Sequence, residues 1–143
     1  MMGRIQEILL GRKLYSVQPG QSVAEVAQTM TKLHVGAILV LEGTSLRGVF
    51  SERDLMTRVV VPARDPAATP VEQVMTTELA TIDEGATVDA AMELMLNRKC
   101  RHLPVMRGSE AVGFISMRDL MDYELARKTE EIQQMRAYIA GSV

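Results

Sequence analysis

Two four-residue stretches of this chain each combine a hydroxyl, a guanidinium and a carboxylate at the same spacing. They are Ser51-Glu52-Arg53-Asp54 and Ser116-Met117-Arg118-Asp119, which lie 65 positions apart. A serine and the unpaired N–H groups at the start of a helix can hold a phosphate, to which the arginine adds a fixed positive charge. An ionised aspartate one helical turn further on can accept hydrogen bonds from the two vicinal hydroxyls of a ribose. The spacing therefore points to nucleotide binding at one or both stretches.

A structural role explains the same spacing without any ligand. Ser-x-x-Asp resembles a capping box, in which the two side chains satisfy backbone N–H groups and stabilise the helix by about 1 kcal/mol. One copy alone would favour this alternative. Two copies at matched positions, each with an arginine, favour ligand binding at one of them at least, and the two roles are compatible.

Each motif needs a strand that leads directly into a helix, and the sequence predicts this arrangement twice. Residues 14–61 are predicted to form a short strand, a helix capped by Ser22, two apolar strands and a helix that begins at the first motif. Residues 71–126 repeat this order, and 11 of the 44 residues in 17–60 recur in 82–125. We therefore predict an α/β (α+β) fold of two β-α-β-β-α repeats packed about a pseudo-twofold axis.

Three further segments precede, join or follow the repeats. Residues 1–13 are predicted to form an entry helix, and residues 62–70 a linker, because its three prolines prevent a continuous helix or a central strand. Residues 127–143 are predicted to be a helical extension, with a seam of apolar residues at alternating steps of four and three. That seam favours docking on the protein's own surface or on a second subunit.

Composition limits the functions that remain. The 143 residues carry a net charge of −2 with basic and acidic residues interleaved, which argues against binding to nucleic acid. No apolar run approaches membrane-spanning length, and the single cysteine, Cys100, excludes an internal disulfide. The two histidines, His34 and His102, form no metal-ligand motif, and no nucleophile lies beside a base. We expect a cytoplasmic protein with no catalytic residues, no metal site and no membrane contact.

The chain resembles a tandem pair of CBS domains (cystathionine-β-synthase-type domains, together called a Bateman module), especially the small stand-alone bacterial members. The resemblance covers nearly the whole chain and rests on both glycine-to-leucine junctions, two helix starts and two central strands, namely Gly48–Leu55, Gly113–Leu120, Ser22-Val23, Thr87-Val88, Val35–Val40 and Arg101–Val105. It implies a regulatory module that senses energy or redox state, and not an enzyme. We expect such a module to act in trans on another protein. AMP, ADP and ATP are common ligands in this family, and NAD or S-adenosylmethionine occur in some members. The alternative is a structural or protein-interaction module whose clefts are vestigial.

The resemblance also implies that each cleft combines the motif of one repeat with the strand entrance of the other. The preferred cleft would then contain Ser51, Arg53, Asp54, Thr81, Arg101 and His102, and the second cleft would contain Ser16, Gly36, Ala37, Ser116, Arg118 and Asp119. We expect the first to bind better because only it has further cationic groups. AMP or ADP is favoured because a triphosphate would need more positive charge than the cleft lined by Ala37 offers. Since CBS pairs generally form flat dimers through their helices, we also expect a homodimer.

Overall fold

The structure is a computed structural model that describes residues 3–141. Its elements confirm the predicted α+β class and the long helix at the carboxyl end. In chain order they are α1 (Ile5–Leu9), β1 (Ser16–Val17), α2 (Val23–Leu33), β2 (Ala37–Glu42), β3 (Ser45–Ser51), α3 (Glu52–Asp54), a π-helix (Leu55–Val60), a 3₁₀ turn (Val71–Gln73), β4 (Ile82–Asp83), α4 (Val88–Arg98), β5 (His102–Arg107), β6 (Glu110–Ser116) and α5 (Met117–Gly141).

Each repeat forms a three-stranded sheet in which a short first strand runs parallel to the second, and the second pairs with the third as a hairpin. The orders are β1-β2-β3 and β4-β5-β6. Gly43 and Gly108 lie in the two hairpin turns with φ of +65° and +60°, a conformation that favours glycine. Ser22 and Thr87 cap α2 and α4 by accepting the backbone N–H groups of Glu25 and Ala90. Both caps lie where the sequence predicts them.

The second strand of the first repeat is buried on both faces, which explains its continuous apolar sequence. Ile38 and Val40 join the core beneath α2. Leu39 and Leu41 face the opposite way, into a cluster that contains Ala111 of the second repeat. The two sheets therefore pack against each other around the predicted pseudo-twofold axis.

The segments that precede the repeats cross over to the opposite half of the molecule. Ile5 of α1 is fully buried in the core of the second repeat, and its N–H donates to the carbonyl of Ala86. Val71 and Met75 are in turn buried in the core of the first repeat. Each half therefore completes its core with residues from the other half.

The helix that follows the first motif differs from the prediction of one regular helix. After α3 the backbone widens into a π-helix, in which the N–H of Val61 donates to the carbonyl of Met56. This wider turn accompanies complete burial of Val59 in the core. The second motif continues without a break into α5. Between residues 3 and 141, no helix combines the length and the hydropathy needed to cross a bilayer.

Candidate functional site

The two Ser-x-Arg-Asp motifs have the same backbone geometry. In the first, the N–H of Asp54 donates to Ser51 Oγ at 3.2 Å, and the N–H of Ser51 donates to Asp54 Oδ2 at 3.1 Å. In the second, the N–H of Asp119 donates to Ser116 Oγ at 3.1 Å, and the N–H of Ser116 donates to Asp119 Oδ2 at 2.8 Å. Both motifs therefore form the reciprocal cap that the structural alternative describes.

The carboxylate of Asp54 is buried and surrounded by protein donors. Only 6% of the residue is exposed. Besides the N–H of Ser51, its oxygens accept from the hydroxyl of Ser51 at 3.1 Å and from Thr76 Oγ1 at 3.0 Å, and Arg58 Nε lies 3.7 Å away. Three protein donors and a nearby guanidinium therefore engage the buried carboxylate, which leaves little room for a ribose.

The carboxylate of Asp119 has a different environment, because 22% of its side chain is exposed. Its Oδ2 is engaged by the cap, whereas Oδ1 accepts from Arg12 Nη2 at 2.8 Å. Partial burial raises the pKa of Asp119, but the hydrogen bonds from Arg12 and Ser116 outweigh it and hold that pKa below the ordinary aspartate value. Asp119 is therefore an ionised acceptor at an accessible position.

Asp119 lies on the wall of a large cleft between the two repeats. The cavity has a volume of about 1090 Å³. Its walls come from the segment after α1, the start of β2, the start of β5 and the junction of β6 with α5. The lining residues are Leu9, Gly11, Arg12, Lys13, Leu14, Tyr15, His34, Val35, Gly36, Ala37, Ile38, Arg101, His102, Val112, Gly113, Phe114, Ser116, Met117, Arg118, Asp119 and Met121. We call this cavity the Asp119 cleft.

The structure groups the predicted site residues differently from the prediction. Five of the six residues predicted for the second cleft line the Asp119 cleft; the exception is Ser16, which is exposed in β1. Arg101 and His102 line the same cleft, although they were predicted to face Asp54. Register is the reason, because His102 at the start of β5 pairs directly with Ser116 at the end of β6. The start of each central strand therefore lies beside the junction of its own repeat.

The remaining residues predicted for the preferred cleft lie elsewhere. Ser51, Arg53 and Asp54 do not line the Asp119 cleft, and Thr81 is exposed before β4. Glu52, within the first motif, lines a smaller cavity of about 410 Å³ beside Phe50. The structure thus places Arg101 and His102 beside the second motif, whereas the basic group beside Asp54 is that of Arg58.

Several residues of the Asp119 cleft were missed by sequence reasoning. Arg12, Lys13 and Tyr15 follow α1, and their presence depends on the crossing of α1 to the second repeat. His102 stacks on Phe114, with ring centroids 5.2 Å apart and an interplanar angle of 25°. Adjacent basic residues at positions 12 and 13 were a signal, but only the tertiary crossing brings them to the cleft.

The imidazole of His102 is electrostatically perturbed. Burial lowers its pKa below the ordinary histidine value, the negative charge of Asp119 raises it, and the positive charge of Arg101 lowers it further. Because burial is the largest effect, the site favours the neutral form of the ring. Within residues 3–141, no three histidine, cysteine, aspartate or glutamate side chains converge as metal ligands would.

Comparison with known proteins identifies the family. The sequence profile of the CBS domain matches residues 5–61 and again residues 71–126. The chain belongs to the CBS-domain family. It is a tandem CBS pair, and the cleft between its two repeats contains Asp119.

Relatives extend the identification to curated proteins and solved structures. The chain is 33% identical to the mitochondrial CBS domain-containing protein CBSX3 of Arabidopsis thaliana over 84% of its length, although the match spans only 61% of that relative. It is 32% identical to the CBS domain-containing protein YhcV of Bacillus subtilis, covering 80% of this chain and 81% of YhcV. The structure of the CBS domain protein PAE2072 of Pyrobaculum aerophilum complexed with AMP matches with 28% identity, a TM-score of 0.73 and coverage of 81% of this chain and 88% of that one.

Proposed function

We propose that this CBS pair is a sensor that binds an adenine nucleotide, AMP or ADP, in the Asp119 cleft and acts in trans on a partner protein. The observation that carries the proposal is the accessible, ionised carboxylate of Asp119 on the wall of a cavity of about 1090 Å³. Ligand clefts usually have volumes of about 300–1,000 Å³, so there is room for a nucleotide. The AMP in the Pyrobaculum relative supports the ligand class.

The residues around Asp119 suggest how each part of a nucleotide would bind. The ribose hydroxyls would donate to Asp119, and the phosphate would lie near the start of α5, within reach of Arg101 and Lys13. The base would pack on apolar residues at the start of β2, such as Ala37 and Ile38, opposite the aromatic rings that line the cleft.

Substitution of the two matched aspartates tests this assignment. We expect Asp119→Asn to weaken AMP and ADP binding at least tenfold in isothermal titration calorimetry, because hydrogen bonds to a charged group contribute about 1.5–3 kcal/mol. Asp54→Asn is the matched control. It should lower the melting temperature, because its carboxylate accepts buried hydrogen bonds, and leave the affinity of the folded protein unchanged. An Asp119→Asn protein with wild-type affinity would exclude Asp119 as the ribose ligand.

A ligand screen separates this proposal from the alternative of vestigial clefts. A ligand present at 100 times its dissociation constant stabilises the folded state by about 2.7 kcal/mol, which raises the melting temperature. We therefore expect AMP or ADP to raise it, with ATP, NAD and S-adenosylmethionine as the other compounds tested. A protein whose melting temperature responds to none of the five would be an interaction module with empty clefts.

A sensor must transmit ligand binding to a partner protein. We propose that this protein does so as a homodimer. The cleft is formed by both repeats, so a ligand that contacts both would favour one relative orientation over others. A partner that binds one orientation more tightly would then respond to the ligand. Apolar residues exposed on α5, such as Leu125 and Ile132, support association with a second copy.

A further inference from the structure

Arg12 occupies the position in which a ribose would have to bind. Its guanidinium donates to Asp119 Oδ1 at 2.8 Å, across 107 residues of sequence. The other oxygen, Oδ2, is already held by the N–H of Ser116. A ribose hydroxyl that donates to Oδ1 would therefore have to share that oxygen with Arg12 or displace the guanidinium.

The position of Arg12 is fixed by the packing of α1 on the second repeat. The N–H groups of Ile5 and Gln6 donate to the carbonyls of Ala86 and Glu84. This anchoring directs the segment that follows α1 across the cleft, where both Arg12 and Lys13 line the wall. The Arg12 side chain itself is 42% exposed, so its ion pair with Asp119 is weakened by solvent and can exchange.

Charges in the cleft are unbalanced before any ligand binds. Its lining contains four basic residues, Arg12, Lys13, Arg101 and Arg118, but only one acid, Asp119. The Arg118 side chain is 90% exposed, and its Nε lies 3.9 Å from the carboxylate of Asp122, a residue that does not line the cleft. Within residues 3–141, neither Lys13 nor Arg101 has an acidic partner within 4.0 Å. Two unpaired cations match the charge of about −2 of a single phosphate.

Release of Arg12 changes this balance. If a ribose took its place on Asp119, the displaced guanidinium would become the third basic group in the cleft, after Lys13 and Arg101, that is not paired with a carboxylate. A terminal diphosphate, with one further negative charge than the monophosphate, brings about three negative charges. A guanidinium also suits phosphate recognition because its planar fork donates two parallel hydrogen bonds.

We propose that Arg12 is a selectivity residue that exchanges Asp119 for the second phosphate of the ligand, so that the cleft prefers a nucleoside diphosphate to a monophosphate. This inference rests on the proposed nucleotide site. In this proposal, the segment after α1 discriminates between a nucleoside diphosphate and a monophosphate. The ion pair between Arg12 and Asp119 then exists only in the ligand-free state.

The test is calorimetric titration of adenosine, AMP and ADP into the full chain and into Arg12→Gln, at one pH and one salt concentration. We expect the wild type to bind ADP about tenfold more tightly than AMP. In Arg12→Gln that ratio should fall to near one, while adenosine binds several-fold more tightly because no charged donor competes for Asp119. Arg12→Lys should restore part of the ADP preference. Arg47→Gln is the matched control, because it removes an exposed arginine of another ion pair, with Glu42, and should keep the wild-type ratio.

The outcomes separate the two proposals. An unchanged ratio of ADP to AMP affinity in Arg12→Gln, with binding that still depends on Asp119, would overturn the exchange and leave the nucleotide site intact. Equal weakening of all three ligands would assign Arg12 a merely structural role and would also overturn it. A wild type that does not prefer ADP contradicts the inference directly. If none of the ligands binds the wild type, or if Asp119→Asn has no effect, the nucleotide site and the exchange both fail.

Discussion

Asp54 and Asp119 share a motif and a cap, and they differ in the residue that the opposite half presents to the carboxylate. Thr76 follows the segment that crosses into the first repeat, and its hydroxyl donates to Asp54. The matching position in the first half, 66 residues earlier, is Leu10, which has no donor and is 79% exposed. Asp119 is therefore left accessible to Arg12. The hydroxyl of Thr76 is thus one difference between Asp54, which acts as a buried helix cap, and Asp119, which is a candidate binding residue for a ribose.

His102 gives the cleft a pH-dependent contribution to stability. Since its folded-state pKa is lowered, chiefly by burial, the unfolded state binds a proton more readily than the folded state does. Stability should therefore decrease as the pH falls through about 6.5, the ordinary histidine pKa, and continue to decrease down to the folded-state pKa. The opposing group in the cleft, Asp119, has a lowered pKa and loses its contribution only at more acidic pH.

Urea unfolding at pH 5, 6, 7 and 8 measures this contribution. We expect the wild type to lose stability between pH 7 and pH 5, and His102→Asn to show a smaller loss over the same interval. His34→Asn is the control for removal of a histidine, because His34 is exposed, and asparagine tolerates its left-handed backbone conformation. Identical pH profiles for the wild type and His102→Asn would show that this ring does not titrate differently in the two states.

At the scale of elements, each crossing segment packs directly on a glycine of the opposite repeat. A β-carbon at Gly48 would lie 2.6 Å from Met75 Sδ and 2.8 Å from the backbone carbonyl oxygen of Thr76. A β-carbon at Gly113 would lie 2.7 Å from both terminal methyl groups of Leu9, and its three nearest neighbours all belong to that side chain. The first segment is thus held by a backbone contact, because Thr76 also pairs with Val49, whereas the second is held by a movable side chain.

This difference predicts unequal effects of the same substitution at matched positions. Gly48→Ala should destabilise the protein by about 1–3 kcal/mol, because the Thr76 carbonyl cannot move without breaking its pairing with Val49. Gly113→Ala should change stability by less than about 1 kcal/mol, since Leu9 can change rotamer and the alanine also restricts the unfolded chain. Denaturant midpoints of the two variants measure the difference. Equal losses would mean that Leu9 is as rigid as the Thr76 backbone.

Local patterns in the sequence predict most of the elements, and the register within each hairpin explains why Arg101 and His102 lie beside the second motif and not beside Asp54. Ser22 and Thr87 cap the helices as expected, and the apolar residues of β2 are buried. The sequence prediction grouped Arg101 and His102 with Asp54 in one cleft. It did so because it assumed that the start of the central strand in each cleft comes only from the opposite repeat. In the structure Ala37 comes from the opposite repeat and His102 from the same one. Such a grouping depends on tertiary packing and has no local signal.

At the scale of the whole molecule, exchange of the leading segments joins the two repeats into one unit. Val71 and Met75 complete the first core, and Ile5 completes the second. A third cluster, with Leu39 and Ala111, lies between the sheets. The cleft is built across this arrangement, so its shape depends on how the halves are placed. If the proposed sensor function holds, that dependence would allow a bound ligand to be reported to a partner.

The helix α5 extends beyond the body of the protein and carries apolar residues on a surface in contact with solvent. We call Leu125, Lys128, Ile132 and Met135 the α5 seam. Its apolar members are 67%, 51% and 66% exposed, respectively. Their steps of three and four residues place them along one stripe of the helix, the geometry by which two helices pack together. Lys128 lies inside the stripe and weakens the contact, because its charge must remain hydrated.

We expect the α5 seam to hold two copies of the chain together, and Ile132→Glu to separate them. A glutamate on the stripe would place a charge in the contact, whereas Gln133→Glu adds the same charge beside the stripe and is the matched control. Sedimentation equilibrium should give a dimer for the wild type and for Gln133→Glu, and a monomer for Ile132→Glu. Higher protein concentration favours the dimer by mass action, and association stabilises the folded state. The melting temperature of the wild type should therefore rise with protein concentration, and that of Ile132→Glu should not. A dimer that survives Ile132→Glu would assign association to another surface. A monomeric wild type would contradict the expected dimer.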